Sequence, residues 1–254
     1  DKFGTDALRF YCFREVSFGQ DGSISPAGFE TRYETELANE WGNLASRTLA
    51  MLERYREGIV PDVDVDASLL EGGDGFADLP ARVSELLDVA ELTQALEEIW
   101  QRVRRLNRYV EEQAPWKLAK EEGAAAELDR VLYSLAEGVR VLALLLHAYL
   151  PETSDRLLEA LDEPGRELAE LGSRGGGQSV ADPALPNHLQ PNGATIPQAN
   201  ELAMVGQRKT ASPDQVDLNQ LPGSDRKLII DVIGGHLERD SVEAVKGIVK
   251  EQDA

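Results

Sequence analysis

Apolar side chains recur at spacings of three and four along most of this chain, the period of helices with one buried face. Between residues 29 and 56, Tyr33, Leu37, Trp41, Leu44, Thr48, Met51 and Tyr55 form one stripe, and Gly58 with Pro61 ends the run. A second helix is predicted from about Pro80, with Leu92, Leu96, Ile99, Val103, Leu106 and Val110 as its buried face. Ala114-Pro115 breaks it, because the residue before a proline is pushed out of the helical region. A third helix, interrupted near Gly123 and running to about Leu150, carries Leu128, Val131, Leu132, Leu135, Val139, Leu142 and Leu146. Pro151 opens a shorter fourth, PETSDRLLEAL. Long amphipathic helices joined by short connections predict an antiparallel bundle.

The flanks read differently. Thr5 is a candidate N-cap for a helix over TDALRFYCFRE, which then crosses into VSFGQDGSIS. There Val16 and Phe18 alternate with small residues and Asp21-Gly22 supplies turn chemistry, so a small strand or hairpin is expected. Ser25-Pro26 reads as an N-cap with proline at the first helical position. The acidic, glycine-rich stretch 62–78 reads as an exposed connection. After Leu171 the chain turns to Gly, Pro, Asn and Gln, too little apolar area to offset chain entropy. The expected fold class is mainly α: a small α/β piece over 1–28, a helical bundle over 29–171, a flexible linker over 172–224 and a short, weakly structured segment over 225–254.

Composition narrows the function. The 254 residues carry a formal net charge of -20, which argues against non-specific coating of nucleic acid, since phosphate neutralisation needs clustered Lys and Arg. Local recognition stays open. One cysteine, Cys12, permits no internal disulfide and fits a reducing cytosol, so a cytoplasmic location is expected. The apolar run VLALLL is far shorter than the roughly 20 residues of a membrane span, and no secretory signal precedes it. The sequence opens inside an amphipathic turn without an initiator methionine, and is read as a fragment of something longer.

Enzymatic constellations are scarce. His147, His188 and His236 pair with nothing at metal-ligand spacing, so no metal is expected, and His147 in LLLHAYL reads as a packed bundle residue. The triplet Gly175 to Gly177 has no strand before it and no lysine after it, unlike a phosphate loop. On the first long helix, Asn43 and Arg47 lie roughly 40° apart at about 100° per residue and project together from the flank of the apolar stripe. An Asn amide and an Arg fork can satisfy the polar edge of a splayed base such as cytosine; they can equally cap a neighbouring helix or face water. Trp116 follows the Ala-Pro break, where an indole either presents its face to a base or anchors the bundle. Arg102, Arg104, Arg105 and Arg108 form either a local positive patch for phosphates or a solvated face paired with Glu97 and Glu98.

GTDALRFY, REVSFGQDGSIS, LANEWGNLASRTLAML, NRYVEEQAPWKLAK and LLLHAYLPETSDRLLEAL follow one another over residues 1–171. In content and order they resemble bacterial-type methionyl-tRNA synthetase, with FGQDG, GNLASR and APWKLAK the specific segments. The resemblance implies that FGQDG belongs to the stem-contact joint between a catalytic domain and a helical anticodon-binding domain. It further implies that Asn43, Arg47 and Trp116 read the first anticodon base, a cytosine, of methionine tRNA. No DNA and no membrane partner is implied.

Departures from the family matter as much. Neither ATP-handling signature, of HIGH or KMSKS type, occurs in this sequence, nor do the cysteines of a zinc knuckle. ATP and methionine are therefore expected to serve the parent enzyme's catalytic domain, with no cofactor in this chain and no aminoacylation by it alone. VDLNQLPGSDRKLIIDVIGG resembles the start of an appended tRNA-binding OB-fold, but it is too short to close a barrel and is not basic. Two other readings stand beside this one. One is an acidic helical protein-interaction module without RNA affinity; the other is an anticodon-binding domain specific for another aliphatic amino acid.

Overall fold

The computed structural model describes residues 3–17, 19, 22 and 24–181. Helix α1, Gly4–Glu15, is followed by one long helical rod made of α2, Pro26–Arg32, a π-wound stretch, Tyr33–Gly42, and α3, Asn43–Arg56. After a short 3-10 turn at Ala67–Leu69 come α4, Leu79–Asp88, α5, Leu92–Gln113, α6, Pro115–Leu118, α7, Ala125–Leu146, and α8, Pro151–Ala160. The bundle expected from the apolar spacing is present, with α5 packed on α4, α7 and α1.

Two expectations are corrected. The helix predicted from Pro80 is two helices, α4 and α5, which form a hairpin through a left-handed Ala90 at φ 60°. The N–H groups of Ala90 and Glu91 turn back to the carbonyls of Leu87 and Leu86, closing the end of α4. The second correction concerns the α/β piece over 1–28: among the described residues no strand forms there or elsewhere, and the only β-like pairing is an isolated antiparallel bridge between Ile59 and Ser179. The physical reason lies in the partners. Val16 donates its N–H to Cys12 at the end of α1, and its carbonyl accepts from Thr93 Oγ1 on α5, so these groups meet helices and not a second strand. The turn residues Gln20 and Asp21 lie outside the described residues.

Helix α1 is instead built into the bundle. Phe10 lies 4.7 Å from the ring of Trp100, and both are fully buried. Buried Asp6 accepts the N–H of Thr153 at 2.7 Å, supplying a cap to the first turn of α8 that α8 lacks locally. Arg9 donates to the carbonyl of Ala148 at 2.8 Å. Between α5 and α7 the approach is close: a side chain added at Gly138 would stand 2.6 Å from a Leu106 methyl carbon.

Residues 162–181 have no regular structure but are held along the bundle. Arg140 and Glu137, both buried on α7, bond to one another at 2.8 and 2.9 Å. Arg140 also reaches Glu163 and Ser173, and Glu137 accepts the N–H of Gly172 at 2.9 Å. Farther on, the backbone of Gly177, Gln178 and Val180 exchanges hydrogen bonds with Gly58 and Val60 just past α3. The first ten residues of the stretch read as a linker, 172–181, therefore lie against the bundle, while 182–254 fall outside the described residues.

The Glu137 to Arg140 clasp yields a stability prediction. Arg140→Met leaves a buried carboxylate without its counter-charge and should lower the unfolding free energy by about 3–5 kcal/mol in urea titration. Hydrogen exchange at Gly172 should accelerate ahead of global unfolding, because its acceptor loses its orienting partner.

Candidate nucleic-acid interface

The break after α5 is made by backbone conformation. Ala114 adopts a left-handed conformation, φ 44° and ψ 59°, and returns its N–H to the carbonyl of Val110. Pro115 then starts the single turn of α6, whose missing N–H costs nothing at a helix start. The bend brings Trp116 out of the line of α5. The indole is half-buried, resting on the edge of the core, whereas Trp41 and Trp100 are fully buried.

Across from it stands the first turn and a half of α3. Asn43 is its first residue and Arg47 follows one turn later; both are half-buried. The Arg47 guanidinium lies over the Trp116 ring, 5.7 Å from its centroid, and donates to Glu111 Oε1 at 2.8 Å. Asn43 makes no side-chain hydrogen bond among the described residues, which leaves its amide free to donate and accept. The structure thus brings Arg47 and Trp116 together and sets Asn43 one turn along the same face, and Glu111 completes the group. Sequence reasoning missed Glu111; its place five residues before Trp116, inside a segment already singled out, was the available signal.

The arginine-rich stretch turns out to be paired. Arg102 meets Glu98 at 2.5 Å and the carbonyl of Gly75 at 3.0 Å, Arg104 meets Glu97, Arg105 meets Glu112, and Arg108 meets Asp74. Of the two readings offered by the sequence, the paired face is the one that forms. Farther back along α5, Trp100 donates its indole N–H to Glu40 Oε2 at 2.7 Å. Burial pushes the Glu40 carboxyl above the usual range, against the opposing pull of that bond and of Arg104. Among the described residues no group of His, Cys, Asp and Glu is placed to hold a metal ion, and no helix is long and apolar enough to cross a membrane.

Comparison with known proteins bears on this geometry. Residues 1–49 match the family described as "tRNA synthetases class I (M)", a span that includes Asn43 and Arg47 but stops short of Trp116. The methionine–tRNA ligase of Caldanaerobacter subterraneus subsp. tengcongensis is 39% identical over 165 residues, which is 63% of this chain and 25% of that ligase. Over its helical part the chain is a relative of the bacterial methionine–tRNA ligases. The ligase of Lactococcus lactis is 38% identical over 177 residues, 67% of this chain and 26% of its own length. The crystal structure of the free Mycobacterium tuberculosis methionyl-tRNA synthetase superposes with a TM-score of 0.66 at 38% identity, over 72% of this chain and 38% of that one. The same enzyme bound by methionyl-adenylate gives 0.66 at 36% identity, over 75% of this chain. The chain spans about a quarter of the length of the curated ligases it matches.

The burial of the three tryptophans makes the site observable. Because Trp41 and Trp100 are enclosed, acrylamide should quench the emission of Trp116 almost alone. Arg47→Ala should raise the quenching constant, since the guanidinium shields one face of the ring, and Trp116→Phe should abolish the accessible component.

Proposed function

We propose that residues 29–171 form the anticodon-binding part of a methionine–tRNA ligase, and that 1–28 join it to the rest of such a ligase. Trp116 stacks on the first anticodon base, while Asn43 and Arg47 satisfy its polar edge. The observation that carries this reading is the Arg47 guanidinium standing over a half-buried Trp116 at a helix break, with the unengaged amide of Asn43 one turn away. Relationship to the methionine–tRNA ligases supports the choice of ligand. Neither ATP-handling signature is within the sequence, so the adenylate chemistry of the parent ligase is assigned to other residues, and the 254-residue chain alone is not expected to charge tRNA.

The proposed mechanism is an exchange of partners. In the free chain one face of the indole is occupied by Arg47, held from behind by Glu111. A base entering over the ring displaces a cation–π contact of about 0.5–1 kcal/mol at an exposed site. It also loosens an exposed ion pair of about 0.2–1 kcal/mol. Stacking of the base returns about 1–3 kcal/mol, and the released guanidinium and the Asn43 amide gain the base edge. The resting contacts are weak enough to yield and directional enough to keep Arg47 beside the ring.

The test is binding of methionine tRNA to the full chain. Trp116→Ala should weaken binding by about 1–3 kcal/mol, roughly 5- to 150-fold, with helicity unchanged. Arg47→Leu should harm the cognate anticodon more than one with its first cytosine replaced. Affinity should fall only shallowly with salt, because the arginines of α5 already have carboxylate partners. Equal affinity for cognate and altered anticodons would refute the reading.

A further inference from the structure

The rod that carries Asn43 and Arg47 is π-wound over the ten residues Tyr33–Gly42, and the winding ends at the residue before Asn43. Bonds from i to i+5 widen the turn and shift the residues beyond them around the helix axis. The dihedrals stay in the ordinary helical range at Tyr33, Gly42 and Asn43, so the widening is a local bulge in the bonding and not a continuous unwinding. A bulge of this kind rotates Asn43 and Arg47 about the rod axis relative to Tyr33, away from where an uninterrupted α-helix would set them. Wide turns are costly in isolation, so something must hold them.

What holds them is α5. The backbone N–H of Asn43 is shared between the carbonyls of Ala38 and Glu40, and the Glu40 oxygen also accepts Asn107 Nδ2 at 3.1 Å. Asn107 splits its amide between that carbonyl and the carbonyl of Val103 on its own helix, also at 3.1 Å. About two turns earlier on α5, buried Trp100 holds the Glu40 carboxylate at 2.7 Å. Asn107 and Trp116 are nine residues apart in one segment, so the element that ends in the aromatic platform also grips the rod opposite it.

We infer that Asn107, assisted by Trp100 through Glu40, is a positioning residue: it sets the rotational phase of Asn43 and Arg47 against Trp116 by pinning the end of the π-wound stretch. The inference rests on the anticodon reading proposed above for its consequence in specificity, but its geometric core stands without RNA. Asn107 gives its side-chain hydrogen bonds to the carbonyls of Glu40 and Val103, and to neither the indole nor the side chains of Asn43 and Arg47, so its effect falls on discrimination.

The experiment has two arms on the full chain. In the first, acrylamide quenching of Trp116 is compared between the wild type, Asn107→Ala and Arg47→Ala, without RNA. Asn107→Ala should raise accessibility toward the Arg47→Ala value, with far-ultraviolet helicity retained; unchanged quenching overturns the proposal whatever RNA does. In the second, affinities for methionine tRNA and for the same tRNA with the first anticodon base changed are measured for each protein. Asn107→Ala should compress the ratio of the two by about fivefold, the worth of one net hydrogen bond. Equal losses for both tRNAs mean a merely structural role and overturn it. Glu40→Gln, whose amide oxygen still accepts from Trp100, should keep the wild-type ratio, and a collapsed ratio there would count against the geometry. If Asn107→Ala fails to fold, Asn107→Asp, of the same size but without the amide donor, takes its place with the same expectations. A wild type that does not discriminate refutes the anticodon reading, and the quenching arm then still decides the positioning claim.

Discussion

The structure depends on the burial of α5. Its inner face, with Leu96, Ile99, Trp100, Val103, Leu106 and Val110, is enclosed, and against α7 the absent side chain of Gly138 admits Leu106. A helix so confined has little freedom to rotate or slide, because packed interiors transmit displacement. Everything that matters for the candidate interface is attached to it. Asn107 grips the rod on one side, and the left-handed Ala114 at its end throws Trp116 toward that rod. Glu111, on its last turns, restrains Arg47.

Energetically the molecule divides into strong and weak parts. The strong ones are buried and exact in partners: Glu137 with Arg140, Asp6 at the head of α8, Trp100 with Glu40. Removing one member of such a set leaves an uncompensated group. The weak ones, half-open to water, meet at Trp116. This distribution suits a recognition surface, in which a stiff frame sets positions and only the outermost contacts are exchanged for a ligand.

Much of the frame was legible in the apolar spacing, and the failures have physical causes. The stripe Tyr33, Leu37, Trp41 advances in fours while Leu44, Thr48, Met51, Tyr55 mixes threes and fours; the first rhythm suits the wide winding, yet it also fits an α-helix, so the pattern could not separate them. The turn between α4 and α5 was invisible because Asp88, Val89, Ala90 and Glu91 include neither Gly nor Pro, and the left-handed residue is an alanine. The alternation around Val16 misled because alternation needs a partner strand, which the neighbouring helices do not offer. Docking of 172–181 escaped notice since it rests largely on backbone hydrogen bonds. At the candidate site, helical geometry put Asn43 and Arg47 together, but the choice between an enclosed and a presenting Trp116 required the fold.

The return of 177–180 to Gly58 and Val60 fixes where the remaining polypeptide departs. Asn43 opens α3 and Arg56 closes it, a span of about 20 Å at 1.5 Å per residue. Whatever follows Ala181 therefore sets out from beside the end of α3, where Val180 bonds to Gly58 and Ala181 to Ala160. A dye attached at Ala181 would therefore report on the shared seat of α3 and α8, because the backbone of Val180 and Ala181 is bonded to both ends.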